Sequence, residues 1–131
     1  MDREAVDRWL TAYVEAWTTY DPGRIAALFS DDVAYRYHPY DEPVQGREAV
    51  VEAWLGAEND PGVSTRDEEG TYDPSYQVVA VDGDIAVVTG TTCYRLEPGG
   101  QVDRIYDNCF VIRFDSGGQC CEFTEWYMKR P

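Results

Sequence analysis

The feature that most constrains this chain is a change of hydrophobic period near Tyr72, after which no helical spacing survives. The segments "SYQVVAVDGD", "IAVVTGTTCYRLEPGG", "VDRIYDNCFVIRFDSGG" and "QCCEFTEWYMKR" are rich in β-branched and aromatic residues and read as long strands. The turns between them are "VDGD", "EPGGQ" and "DSGGQ", and strands joined so tightly must run antiparallel. Such a meander exposes one apolar face that another layer has to cover.

The first half supplies that layer. Val6, Trp9, Leu10, Tyr13, Val14 and Trp17 recur at helical spacing and predict a long first helix with one broad buried stripe. In "YDPGRIAALFSDD", Asp21 suits the N-cap and Pro22 the first helical position, with Ile25, Leu28 and Phe29 on the buried face. "DDVAYRYH" alternates like a strand, and the proline after His38 biases that residue toward an extended conformation. "GREAVVEAWLGAEND" predicts a third helix, with Val50, Val51, Trp54 and Leu55 on one side and a stop at "NDPG". "VSTRDEEGTYDPS" is polar and predicts a solvated edge or loop. Helices first and a meander afterwards is an α+β order, one sheet curling around helices that cover one of its faces. With 131 residues and no repeat or linker, one domain over residues 1–131 is expected.

Aromatics make up 14% of the chain, enough to fill a core and also line a cavity. The 25 acidic residues outnumber 11 basic ones, giving a net charge of −14 that repels phosphate backbones and anionic membranes. Neither nucleic acid nor membrane is expected as a partner. The start, "MDREAVDRWL", has no long apolar run, so a cytoplasmic location is expected. Cys93, Cys109, Cys120 and Cys121 lack CxxC spacing and are expected to be small buried thiols, without disulfide or metal roles. No phosphate loop, dinucleotide fingerprint, nucleophile elbow or histidine-rich metal spacing occurs, so no metal and no cofactor are expected.

The order helix, short helix, strand, "GREAV" helix and meander, with "LFSDDVAYR", "DEPVQGREAV" and "VIRFDSGGQ" closing in "FTEWY", resembles the nuclear transport factor 2-like superfamily, in particular its SnoaL-like branch. The resemblance spans essentially the whole chain. It implies a cone-shaped α+β barrel whose wide mouth admits a small, usually apolar molecule, and a homodimer through the outer face of the sheet. The same cone serves isomerases, cyclases, hydrolases, dehydratases and proteins that only bind. Against ketosteroid isomerase, where a carboxylate base works beside a Tyr and a protonated Asp, the helix-one tyrosine is kept as Tyr13. The position of the base holds Tyr37 and that of the second acid holds Phe110, so the isomerase mechanism does not transfer.

The same match implies that Phe110 faces the cavity, and period-two alternation then puts Tyr106, Asn108 and Ile112 beside it, with Asp107, Cys109, Val111 and Arg113 outside. On the last strand it implies Phe123, Glu125 and Tyr127 inside and Thr124 and Trp126 outside. The expected cavity holds Tyr13, Trp17, Tyr35, Tyr37, Trp54, Asn108, Phe110, Glu125 and Tyr127, an aromatic cup suited to a small hydrophobic molecule. Glu125 among rings would have a raised pKa and serve as general acid or base, unless Arg36 or Arg95 pairs with it or the strand end exposes it. Asn108 could orient a carbonyl or water, or satisfy the sheet backbone. His38 could act as base at the mouth, or be a loop histidine capped by Asp41 or Glu42; strand parity turns it away unless the proline bends the chain. Tyr13 could contact a ligand oxygen, or be a core tyrosine. Asp31 and Asp32 read as a strand-entry turn. Two functions compete: cofactor-free acid–base chemistry of isomerase, cyclase or dehydratase type, and a non-catalytic module for ligand binding or dimeric assembly. A cavity filled by its own aromatic side chains is a third reading.

Overall fold

The computed structural model describes residues 1–56 and 66–131. Three helices, α1 (Arg3–Thr19), α2 (Pro22–Ala27) and α3 (Arg47–Leu55), pack on a six-stranded sheet of β1 (Phe29–Arg36), β2 (Val44–Gln45), β3 (Tyr72–Asp82), β4 (Ile85–Arg95), β5 (Val102–Phe114) and β6 (Cys120–Lys129). The sheet order is β2-β1-β6-β5-β4-β3, so the expected barrel is an open, curved sheet whose edges are β2 and β3. Every neighbouring pair is antiparallel except β1 with β6.

Helix α1 starts where Asp2 accepts a hydrogen bond from the Ala5 amide at 2.8 Å. It buries Val6, Trp9, Leu10, Tyr13 and Ala16, while Val14 and Trp17 of the expected stripe are only half-buried. Asp21 caps α2 through the Arg24 amide, with Pro22 in its first turn. Phe29 is fully buried but belongs to β1, because the helix ends one residue before Leu28 and the chain is already paired with β6 at Phe29. Asp31 and Asp32 lie within β1, at the register break between Phe29 and Ala34. There Asp31 pairs with Arg47 and Asp32 accepts from Ser30, so the expected turn is instead an irregular stretch of strand. Helix α3 stops at Leu55, where the Gly56 amide donates to Glu52; the "NDPG" stop expected from the sequence lies outside the described residues.

The meander forms as expected, with Gly83, Gly99 and Gly118 of its three turns at φ 60, 71 and 81. Strand β3 begins at Tyr72, three residues before the expected start, and contains Pro74; on an edge strand the missing amide leaves no ladder bond unmade. The cysteines are free thiols, but only Cys120 is fully buried. No helix among the described residues is long and apolar enough to cross a membrane.

Tyr13 stands at the centre of the core. Its ring lies 5.2 to 5.7 Å from those of Trp54, Phe110 and Phe123, and 5.5 Å from Trp9. Tyr35 stacks on Phe123 at 4.5 Å and nearly parallel, which fixes β1 against β6 from the inside.

One position without a side chain shapes the inner face. Gly90 of β4 sits in register between Tyr76 of β3 and Asn108 of β5. A Cβ there would lie 2.6 Å from the Tyr76 ring and 2.7 Å from its Cα, with the backbone of Ser75 closer still. Gly90→Ala should therefore lower stability by about 2–3 kcal/mol and displace Tyr76. Urea denaturation reads the first effect and near-ultraviolet circular dichroism the second, and an unchanged midpoint would contradict the close approach.

Candidate functional site

The wide end of the cone opens into a cavity of about 530 Å³. Of the residues expected in it, Tyr13, Trp17, Tyr35, Tyr37, Trp54, Asn108, Glu125 and Tyr127 line it. Phe110 does not. It is 1% exposed and lies beneath the wall, wedged between Tyr13, Tyr76 and Phe123. Its inward parity is as expected, but on this part of β5 the covering ring of Tyr76 comes between it and the space.

With Asp67, Glu125 is one of two acids in the cavity lining. Its Oε2 accepts from Asn108 Nδ2 at 3.1 Å, and burial pushes its carboxyl up to about 7 against the lowering influence of Asn108 and of the nearby His38 ring. Neither arginine that could have paired with it does so: Arg36 donates to the Asp41 carbonyl, and Arg95 to Asp73 and Gly100. Asn108 is itself held. Its Oδ1 accepts from the Thr92 hydroxyl at 2.9 Å, and Thr92 Oγ1 lies 2.6 Å from the Tyr76 hydroxyl. The amide sets the direction of the whole chain: its oxygen must accept from Thr92, which leaves Thr92 to accept from Tyr76, and its NH₂ must donate to Glu125. One carboxylate oxygen is thereby fixed as an acceptor, and the other is left to carry or take a proton.

The sequence reading missed Thr92 and Tyr76. Thr92 is 2% exposed, and period-two alternation from the apolar Val88 would have placed it inward. Tyr76 carries no such signal, since its role depends on the empty position at Gly90.

Tyr13 lines the cavity but is largely buried in the core. It is 6% exposed, burial raises its hydroxyl well above the usual tyrosine range, and that hydroxyl meets Tyr35. Tyr37, at the position of the isomerase base, is pushed up to about 12 by burial and so stays protonated at neutral pH. It can donate a hydrogen bond but cannot be the base.

His38 is absent from the wall, yet it touches it. Strand β1 ends at Arg36, and the Asp41 amide closes a turn onto the His38 carbonyl, so strand parity no longer governs the side chain. Its Nδ1 lies 2.7 Å from Asp41 Oδ2 and its Nε2 lies 2.7 Å from the Tyr127 hydroxyl. The Asp41 cap weighed from sequence is present, and the contact with Tyr127 comes in addition.

A further polar patch lies elsewhere in the lining. The hydroxyl of Tyr20 accepts from the Trp17 indole and the Asp67 amide, both at 3.0 Å, and Tyr20 itself sits at φ 49. Burial raises the Asp67 carboxyl, and the Arg104 guanidinium covers the Tyr94 ring at 4.3 Å. Nothing in the sequence pointed to Tyr20 or Asp67, which come from a helix end and a loop. Among the described residues no group of histidine, cysteine or acidic side chains is arranged to hold a metal ion.

A family model for the SnoaL-like domain matches residues 10–123. The chain belongs to the SnoaL-like domain family. Solved structures agree with that SnoaL-like fold. The epoxide hydrolase/cyclase-like enzyme SalBIII, from salinomycin pyran ring formation, superposes with a TM-score of 0.70 at 15% identity, over 97% of this chain and 93% of the other. A ketosteroid isomerase-like protein from Erwinia carotovora atroseptica gives 0.60 at 20% identity, over 98% and 97%. An NTF2-like protein from Burkholderia xenovorans gives 0.64 at 16%, over 98% and 92%. No curated protein sequence matches significantly. At these identities the likeness is one of fold.

The raised carboxyl has a consequence for stability. A folded-state pKa near 7 against an ordinary 4.5 means that the folded SnoaL-like chain holds this proton more tightly than the unfolded chain. Ionising Glu125 therefore costs stability as pH rises through that window. Glu125→Gln should leave stability nearly unchanged at pH 5 and raise it by about 1–3 kcal/mol at pH 8. Urea denaturation at the two pH values checks this, and parallel pH profiles for the two proteins would refute the buried, unpaired carboxyl.

Proposed function

We propose that this SnoaL-like chain binds a flat, largely apolar small molecule in its cone and moves a proton on it without a cofactor, with Glu125 as the acid or base. The observation that carries this reading is a carboxyl that burial pushes up to about 7, held by an amide in a largely aromatic cavity, with neither Arg36 nor Arg95 paired to it. The protonated form can give a proton to a ketone, epoxide or alcohol oxygen. The ionised form can take one from carbon beside a carbonyl. Tyr37, a phenol that stays protonated, offers a donor to an oxygen that gains charge. That two structural relatives are described as cyclase-like and isomerase-like suits the same chemistry.

The test does not need the natural substrate. Polycyclic ketones that bind are incubated in D₂O, and α-deuterium incorporation is followed by mass spectrometry. Wild-type protein should exchange bound ketones, and Glu125→Gln should slow exchange about 10²–10⁴-fold while keeping affinity. Tight binding with no exchange by the wild type would favour the alternative, a carrier that only binds.

The outer sheet face favours assembly beside either reading. Trp126 is 43% exposed, cross-strand from Cys109, and Met128 is 74% exposed next to it. We propose that this face pairs with a second copy of the chain. Trp126→Glu should then shift a dimer to monomer in sedimentation velocity, and a monomeric wild type would rule the pairing out.

A further inference from the structure

The mouth of the cavity carries a second proton-handling group, independent of the chain that holds Glu125. Asp41 Oδ2 lies 2.7 Å from His38 Nδ1, His38 Nε2 lies 2.7 Å from the Tyr127 hydroxyl, and Tyr127 is one of the residues that line the cavity. Tyr40 stacks flat on the imidazole at 5.2 Å, which fixes the plane of the ring. The groups that face the imidazole are Asp41 and Tyr40 from its own loop and, from β6, Tyr127 with Glu125 farther in. Tyr106 packs edge-on against Tyr127 at 5.6 Å.

The chemistry of this chain is directional. Asp41, as a carboxylate, takes the Nδ1–H, and in its neutral form the ring presents its Nε2 lone pair to Tyr127. The tyrosine then donates outward to His38 and turns bare oxygen lone pairs to the cavity, which makes it an acceptor there. When a ligand O–H is acidic enough, its proton passes to the Tyr127 oxygen while the tyrosine's own proton passes to Nε2. The imidazolium so formed is held by Asp41, and the ligand oxygen keeps the electron pair. The unit is therefore selective for a hydroxyl that can ionise.

We propose that Asp41, His38 and Tyr127 recognise a phenolic or enolic hydroxyl of the ligand, while a carbonyl on the same flat framework reaches Glu125. Glu125 and Tyr127 are two residues apart on one face of β6, which separates their attachment points by roughly 7 Å. A hydroxyl and a carbonyl at opposite ends of one or two conjugated rings span such a distance. The inference rests on the reading of Glu125 as the group that meets the carbonyl, and it names the substrate class: a conjugated hydroxy-ketone.

The test uses benzophenone, 4-methoxybenzophenone and 4-hydroxybenzophenone as probes at pH 7, with affinity from tryptophan quenching and ionisation of the phenol from its absorption band. The hydroxy compound should bind about tenfold more tightly than the methoxy compound and show a red-shifted band when bound. Tyr127→Phe and His38→Gln should each abolish both the preference for the hydroxy compound over the methoxy compound and the red shift. Asp41→Asn should weaken the red shift. Equal affinities for the three ketones, or a preference that survives in Tyr127→Phe, would overturn this inference and leave the reading of Glu125 intact. Failure of all three to bind would overturn both. A preference and red shift that survive in Glu125→Gln would support the mouth unit as a site in its own right.

Discussion

Tyr13 is the junction on which this fold depends. A single ring on α1 meets α3 through Trp54, β5 through Phe110 and β6 through Phe123, so two helices and two strands share one contact. Aromatic rings in edge and offset contact hold their mutual angles, and Phe110, Phe114 and Phe123 beneath are almost wholly buried. The narrow end of the cone is thereby closed. At the wide end, hydroxyls take the place of packed ring edges, and the space between them stays open.

That division explains how a carboxyl can sit inside. Burying a charged group without a partner is costly, and neither Arg36 nor Arg95 pairs with Glu125. What it has is an amide whose orientation is fixed by two further hydroxyls, from neighbouring strands β4 and β3. A carboxyl held in this way is satisfied when neutral and tolerated when ionised, so its two forms lie close in free energy near neutral pH. The same network needs an empty position, and Gly90 provides it.

The proton chemistry assigned to this SnoaL-like chain does not use the acids of ketosteroid isomerase. One of those positions is a tyrosine that stays protonated, and the other is a phenylalanine below the cavity wall. The carboxyl in the proposed role stands on β6, and His38 lies beside Tyr127 of the lining. A cone with a closed apolar tip and a polar rim admits many placements of one carboxyl, which is why shared fold and separate chemistry coexist.

The sequence by itself determined the order of the helices and the longer strands, the antiparallel meander and which residues of β5 and β6 share a face, because these follow from local periods of 3.6 and 2 and from glycine turns; the short β2 (Val44–Gln45) carried no such signal. Asn108, Glu125 and Tyr127 were legible for that reason, with the side of the sheet taken from the resemblance. The tertiary structure decided what local period cannot encode. The parallel pairing of β1 with β6 joins segments far apart in the chain, and with it Phe29 passes from helix to strand. Ending β1 at Arg36 freed His38 from strand parity and let it reach Tyr127 across 89 positions of sequence. Thr92 and Tyr76 joined the site only because β3, β4 and β5 lie in one register around Gly90. Phe110 left the wall because a ring from β3 covers it. In each case the deciding fact is which side chain comes from a distant strand to stand beside a residue, and only the packed sheet fixes that.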